Sequence, residues 1–324
     1  MTIIKILLKK FFLMLISILI LLSISYFLIT IFIVKSPYNN SSNSILLSYL
    51  IYFSNLFRFN FGSIFDPTIS LSFTNIPSLF FQYFKWSILI VTTTFLLGIF
   101  IGYSLGSLLS YKSNSSTILF FNSLTFSFAA IPLFILAPIF INVAEFYNIP
   151  TVFIDNDILN FKDSLYSLIV PILLLLLGSI STFSSLTLST ITEILKTDFI
   201  LYMKACGMSK WGIFWKGIFR NSWTKLISFV VPIFTSLITF SLIIERIFQI
   251  PGQSIILNVI FSKGEINIIL FLILINALII FTMQLLVEFF QILLAASIIS
   301  KNKNHWFTKK IKMNKLFKKK GIYE

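Results

Sequence analysis

A single cysteine and a single histidine in 324 residues exclude two chemistries at the outset. Cys206 has no partner for an internal disulfide, and His305 alone makes no histidine-based metal site. The chain also lacks a GxxxxGK[ST] loop, so it carries no visible means of hydrolysing a nucleotide. Charge is scarce as well, at 11% of residues, where a soluble domain has about 25%. With 57% hydrophobic residues and a mean hydropathy of +0.96, so few charges do not cover a surface facing water, and the chain reads as an integral membrane protein. No histidine and no carboxylate pair lies inside an apolar run, so catalysis has no footing. Alanine is sparse while phenylalanine reaches 39 residues, a tilt that carries little functional information.

What is present is length in the apolar runs. A helix needs about 20 apolar residues to cross the hydrocarbon core, and six stretches qualify: 11–34, 86–109, 117–143, 168–191, 226–244 and 266–299. The first follows Lys5, Lys9 and Lys10 as a signal peptide would, but it is too long for an h-region and no A-x-A site follows, so it is expected to be retained. The expected organisation is all-α. A tail and first span (1–34) lead into an external loop (35–84), a five-helix core (85–299) with a cytoplasmic loop at 192–225, and a basic tail (300–324).

Charge sets the orientation. Most of the 25 basic residues fall on one side of this layout: at the N-terminus, at Lys112, along the 192–225 loop and through the tail. The other side holds Asp66, Glu145, Asp155, Asp157, Asp163, Glu245 and Glu265 among few cations. The positive-inside rule therefore predicts both termini in the cytoplasm. The lysine-rich tail reads as an orientation anchor or a contact for anionic lipid, in preference to a nucleic-acid patch.

Within the spans, Gly98, Gly102 and Gly106 recur every fourth residue on one face, which lets another helix backbone approach closely in lipid. Packing inside the subunit and a subunit interface both fit that stripe. Pro132, Pro138, Pro171 and Pro232 are candidate breakers, tolerated where neighbours satisfy the freed carbonyls. Glu288, in the last span, is the main ionisable group at depth and a candidate proton or substrate site. Its place late in the span favours a structural role near the headgroups. The first external loop carries NNSSNS at 39–44 and breakers at Gly62, Pro67 and Pro77, and the loop near 145–165 is acidic.

The segment DFILYMKACGMSKWGIFWKGIFRNSW, residues 198–223, departs from this apolar background. Asp198 is a plausible N-cap, and Phe199, Tyr202, Met203 and Cys206 recur as one helical stripe. Gly207 is placed to end that helix in a left-handed turn. Ser209 can cap a second helix, with Trp211, Phe214, Trp215, Ile218 and Phe219 as its stripe and Lys216 and Arg220 on the polar side. Two short helices at an angle fit a lipid-surface element and a partner-docking element about equally.

The run D-F-I-x-x-M-K-A-x-G-M-S, followed by Arg220-Asn221, resembles the cytoplasmic "EAA" loop of binding-protein-dependent ABC importer permeases, in particular the dipeptide/oligopeptide branch. On that match Asp198, Phe199, Ile200, Met203, Ala205, Gly207, Ser209, Arg220 and Asn221 occupy motif positions. Glu245, Phe248, Pro251 and Gly252 resemble the family's E-x-I-F-x-x-P-G before the last span. Ile131-Pro132 with Phe134 resembles its I-P-x-F, and Phe61-Gly62-Ser63 is a weaker likeness in the first outer loop. Met203 stands where alanine is usual, Cys206 where lysine is common and Lys225 where a proline normally follows.

The resemblance implies a type I ABC importer permease fold with a cytoplasmic coupling helix, in a bacterial inner membrane. It implies ATP and Mg on a partner ATPase and no cofactor in this chain. The partners it implies are a second permease subunit (by the branch's habit a paralogue), two ATP-binding subunits, an extracytoplasmic substrate-binding protein and membrane lipid. Dipeptides, oligopeptides, nickel and glutathione are all cargoes of the branch, and the sequence does not choose among them. A stand-alone secondary transporter or channel using Glu288 is the reading from another class.

Overall fold

A computed structural model describes residues 3–32, 45–111, 130–155 and 160–319, with isolated positions between 116 and 127, and its account of side chains runs to Leu294. The described elements are helices. They are α1 (Ile3–Phe32), α2 (Ile45–Phe57), α3 (Pro67–Ser70), α4 (Ile76–Ser110), α5 (Leu133–Phe146), α6 (Phe161–Ser167), α7 (Ile169–Leu195), α8 (Asp198–Ala205), α9 (Lys210–Ile213), α10 (Phe219–Leu226), α11 (Val230–Ile247), α12 (Gln253–Lys263) and α13 (Ile266–Lys319). A π turn, Phe214–Ile218, joins α9 to α10, and a 3-10 turn, Ile227–Phe229, joins α10 to α11.

Five described stretches are long and apolar enough to cross a membrane: Leu7–Phe32, Ile76–Ser110, Ile169–Leu195, Lys210–Ile247 and Ile266–Leu294. Of the third expected span, 117–143, most of the first half lies outside the described residues, and the second half is the shorter apolar helix α5. The 39–44 stretch, Lys112, Asp157 and the side chains of the basic tail also lie outside them. Four described helices were not anticipated. α2 and α3 lie inside the 35–84 loop, α6 precedes the fourth expected span, and α12 fills the interval between the last two spans.

The centre of the bundle is α4 against α7. A Cβ on Gly98 would fall 1.9 Å from Ser179 Oγ, one on Gly102 2.5 Å from Phe183 Cβ, and one on Gly106 2.5 Å from the Ser184 carbonyl oxygen and 2.6 Å from Thr187 Cβ. The partner numbers rise in step with the glycines, so the two helices run parallel. The stripe is therefore spent inside the subunit. α5 and α11 close the core around this pair, with Trp86, Phe95, Ala137, Leu174, Phe183, Phe234 and Leu237 buried together.

α1 packs on α13 in the opposite sense. Ile18 and Leu22 meet Leu274 and Ala277, Tyr26 meets Ile266 and Leu270, and Lys10 Nζ pairs with Glu288 Oε1 at 2.8 Å. Gln284 also donates to Glu288 Oε1, at 3.1 Å. The carboxylate singled out in the sequence is thus half of an ion pair between the first and last spans.

Two of the prolines stand beside helix breaks, as expected: Pro171 follows the interruption at Leu168, and Pro232 follows the 3-10 turn at Ile227–Phe229. Pro132 is the N-cap of α5, while Pro171 and Pro232 sit in the first turns of α7 and α11. There a missing N–H costs no intrahelical bond. Among these four, Pro138 is the one inside a helix.

The glycine face yields a paired prediction. Gly106→Val overpacks a contact made by backbone, where neither helix can yield, and overpacking costs about 1–3 kcal/mol. Gly178 on α7 has nothing within 4 Å of an added Cβ, so Gly178→Ala is expected to leave the thermal transition of the detergent-solubilised protein unchanged or raised. Gly106→Val is expected to lower it by several degrees.

Candidate coupling loop and outer corner

Two clusters of motif residues sit at opposite ends of the bundle. The first is the elbow between α7 and α11. Thr197, one residue before the expected cap, is the N-cap of α8, and Asp198 becomes the first helical residue. The reason is local: the Thr197 hydroxyl donates to the Ile194 carbonyl at 2.5 Å and closes α7, while the Thr197 carbonyl receives the Ile200 and Leu201 N–H groups at 3.0 and 3.1 Å and opens α8. An acidic residue in the first turn still complements the helix dipole.

α8 ends as Gly207 requires. Gly207 has φ +73°, its N–H donates to the Lys204 carbonyl at 2.9 Å, and Met208 N–H donates to the Met203 carbonyl at 3.2 Å. This pair of bonds is the Schellman arrangement, which other residues resist because it needs a left-handed backbone. Ser209 then caps α9, its Oγ accepting from Gly212 N–H at 3.2 Å.

The face of α8 buried within the subunit is centred on Ile200, beside the Phe199–Tyr202–Met203–Cys206 stripe. Ile200 is fully buried and Met203 partly so, packed with Ile191, Ile194, Ile213 and Ile218. Phe199, Tyr202 and Cys206 are exposed, with Leu201 beside them. Gly217, which the sequence reading overlooked, explains the choice. A Cβ there would lie 2.7 Å from Ile200 Cδ1 and 3.1 Å from Met203 Sδ. Its bare backbone is the floor on which α8 sits, and the longer Met203 in place of alanine fills that floor. The second stripe is revised. Trp211 and Trp215 are exposed and stacked on each other, 6.4 Å apart at 16°, while Ile213, Gly217 and Ile218 turn inward through the π turn. That extra residue per turn rotates the faces out of simple helical register.

The R-N pair ties the elbow to the bundle. Asn221 Nδ2 donates to the Gly217 carbonyl at 2.7 Å, bracing the widened turn. Arg220 Nη2 donates to the Leu294 carbonyl of α13 at 3.2 Å. One residue further, Ser222 Oγ is 2.9 Å from Tyr103 Oη of α4, and Trp223 stacks on the Tyr103 ring at 5.3 Å. The elbow is thereby fixed to α4, α7 and α13. Ala205 is exposed on the outward face of α8.

The second cluster is the corner between α11 and α12. α11 closes with Gln249 at φ +53° and Ile250 N–H donating to the Glu245 carbonyl at 2.9 Å. Pro251 prevents any continuation. Gly252 lets α12 start against Glu245: a Cβ there would sit 2.5 Å from the Glu245 carboxyl carbon and 2.6 Å from Ser87 Oγ. The buried Glu245 carboxylate accepts from Ser254 N–H at 2.9 Å, and Ser87 Oγ accepts from Gln253 N–H at 2.9 Å. Glu245 and Ser87 thus supply the cap that Gly252 lacks. Phe248 is buried, and its carbonyl receives Phe153 N–H at 3.1 Å. All four motif residues build one stiff corner.

The Phe61-Gly62-Ser63 stretch locks onto the same end. Gly62, at φ +89°, lies against the Asn267 side chain, whose Nδ2 donates to the Ser63 carbonyl at 2.9 Å. Phe61 meets Phe271 edge to face at 4.7 Å. Asp66 pairs with Lys263 at 2.8 Å, caps α3, and donates its own N–H to Glu265. The Lys263 ammonium and the Thr68 hydroxyl hold Asp66 down to about 2, while burial pushes Glu265 up. Among the described residues no group of histidine, cysteine and carboxylate side chains could hold a metal ion.

A family profile described as "Binding-protein-dependent transport system inner membrane component" matches residues 98–300. The chain belongs to that family. The permease is 24% identical over 219 residues to the oligopeptide transport system permease protein OppB of Haemophilus influenzae, an alignment covering 68% of each chain. It is 26% identical over 223 residues to the dipeptide transport system permease protein DppB of Bacillus subtilis, covering 67% of each. A shorter alignment to OppB of Mycoplasma genitalium gives 30% identity over 152 residues, 46% of the permease and 37% of that relative. The resemblance first read at 198–221 therefore holds, and the all-helical bundle is the type I permease fold. The matched residues take in both clusters apart from Ser87 and the Phe61–Asp66 strap.

Two outcomes follow from this geometry. Gly217→Leu is expected to lift α8 from its floor, exposing Ile200 and Met203 and lowering stability by about 1–3 kcal/mol, seen as earlier thermal unfolding with membrane insertion intact. At the other end, the depressed Asp66 contributes stability that is present above the usual carboxylate value of 3.8 and lost as pH falls through about 2. Hydrogen exchange at Thr68 and Ile69, whose N–H groups Asp66 receives, is therefore expected to stay slow, relative to the intrinsic rate, from neutral pH to about 4. Asp66→Asn is expected to speed it throughout that range.

Proposed function

We propose that this permease is one of two membrane subunits of an ATP-driven importer of peptides, and that α8 with the 206–209 turn is the element seated on a separate ATPase. One observation carries this reading. α8 is anchored by its inner face on Gly217 and presents Leu201, Tyr202 and Ala205 outward, with Tyr202 71% exposed. A short helix held rigidly from behind, with an unoccupied apolar front, suits a groove on a partner.

The connections behind it suit a lever. Displacing α8 pushes directly on the 214–218 turn, and from there on α4 through Tyr103 and on α13 through Arg220. ATP and Mg bound by two ATPase subunits would bias the permease pair between inward- and outward-facing states, because the closed ATPases fit one state better. This chain supplies path and lever, and no cofactor. The second membrane subunit is a paralogous permease, and a soluble binding protein delivers cargo at the outer face, where the Asp66–Lys263 corner lies. The N-terminal lysines, the elbow and the last helix past Leu294 share one end of the bundle, which supports placing both termini in the cytoplasm. The names of the relatives support peptides as cargo. A secondary transporter worked by Glu288 has less support, since Lys10 already neutralises that carboxylate.

Gentle purification of the tagged protein is expected to bring down a second permease and P-loop ATPases in stoichiometric amounts. Gly207→Val, forced into a left-handed backbone that costs roughly 1–2 kcal/mol or more, is expected to abolish uptake at normal membrane abundance, whereas Gly207→Asn retains most of it. Normal uptake by Gly207→Val, or a preparation free of ATPase even after cross-linking in the membrane, would sink the proposal.

A further inference from the structure

The coupling reading uses α8 and leaves the aromatic, basic half of the elbow without a task. Between that half and the loop end of α4 lies a cleft of about 400 Å³ lined by Ser107, Leu108, Tyr111, Lys210, Trp211 and Phe214. Its described walls are largely apolar, and among the described lining residues Lys210 is the charged one. Trp211 at its edge is 71% exposed and Trp215 beside it 56%. Lys204, Lys210 and Lys216 are exposed on the same elbow, and among the described residues no carboxylate forms an ion pair with any of them. Lys225, by contrast, is taken by Glu193 at 2.8 Å.

Apolar side chains extend from the cleft along α4. Leu108, Phe100 and Leu96 are exposed on one side of it, a strip of about 18 Å at 1.5 Å per residue. An apolar strip that ends at tryptophan, tyrosine and an unpaired ammonium has the layout of the membrane–water boundary. Its charge complement is an anion attached to a hydrocarbon chain. An ATPase surface would satisfy the lysines but would leave the strip on α4 uncovered.

We propose that this cleft is a binding site for an anionic phospholipid, with the phosphate at Lys210, the headgroup against Trp211 and Tyr111, and an acyl chain along the Leu108–Leu96 strip. Lipid and ATPase then divide the elbow between them. α8 faces the protein partner and α9 with the π turn faces the membrane surface.

Tryptophan quenching by brominated lipid tests this on the full-length protein in phosphatidylcholine nanodiscs. A minor fraction of phosphatidylglycerol brominated on its acyl chains is expected to quench far more per mole than brominated phosphatidylcholine. Lys210→Gln is expected to raise the midpoint of the phosphatidylglycerol titration about fivefold, the change matching roughly 1 kcal/mol per lysine near an anionic surface. Lys210→Arg, which keeps the charge, is expected to hold the midpoint. Equal quenching by the two lipids in the unmodified protein overturns the site without reliance on any variant. An unchanged midpoint in Lys210→Gln overturns it too, and so does photoleucine at position 108 that captures a polypeptide and no lipid.

Discussion

Everything at the two ends of this bundle depends on how closely α4 and α7 approach. In lipid there is little hydrophobic drive between helices, so association rests on van der Waals contact and on how near the backbones come. Gly98, Gly102 and Gly106 bring the α4 backbone onto Ser179, Phe183 and Ser184. Because the two helices run parallel, their loop-end termini emerge side by side. The elbow that leaves α7 at Leu195 therefore starts next to the end of α4, and Tyr103 can reach Ser222 without a long arm. A looser pair would leave the elbow without its tie to α4.

Much of this was legible in the residues. The four-residue glycine spacing, the left-handed turn at Gly207 and the cap at Ser209 each follow from a local rule, and each is where that rule puts it. The illegible features depend on long-range contact. α8 has eight residues, and on so short a helix Phe199-Tyr202-Met203-Cys206 and Ile200-Met203 are equally good stripes. The bare backbone of Gly217 selects the second. The π turn is invisible to a periodicity count because it changes the period. Lys10 and Glu288 lie at opposite ends of the chain, so a carboxylate that looked solitary in sequence is paired once α1 folds back on α13. The prolines, by contrast, were legible, since Pro171 and Pro232 each follow an interrupted helix, at Leu168 and at Ile227–Phe229, where a ring that clashes with the preceding turn would put it.

The two ends use opposite chemistry for comparable stiffness. At the loop end, rigidity comes from small residues and aromatic stacking around Gly217, Tyr103 and Trp223. At the other end it comes from buried or paired carboxylates. Glu245 receives the Ser254 N–H in the first turn of α12, and Asp66 and Glu265 strap the stretch before α3 to the start of α13.

The bond from Arg220 to the Leu294 carbonyl shapes what each side of that joint tolerates. A guanidinium reaching a backbone oxygen recognises where the last helix is, and is indifferent to which residue occupies that turn. Substitutions along α13 near 294 leave the acceptor in place so long as the helix persists. On the α10 side no other residue offers the same reach and charge. The joint is thus generic on one face and specific on the other, and a last helix with altered side chains would still be held by the same clasp.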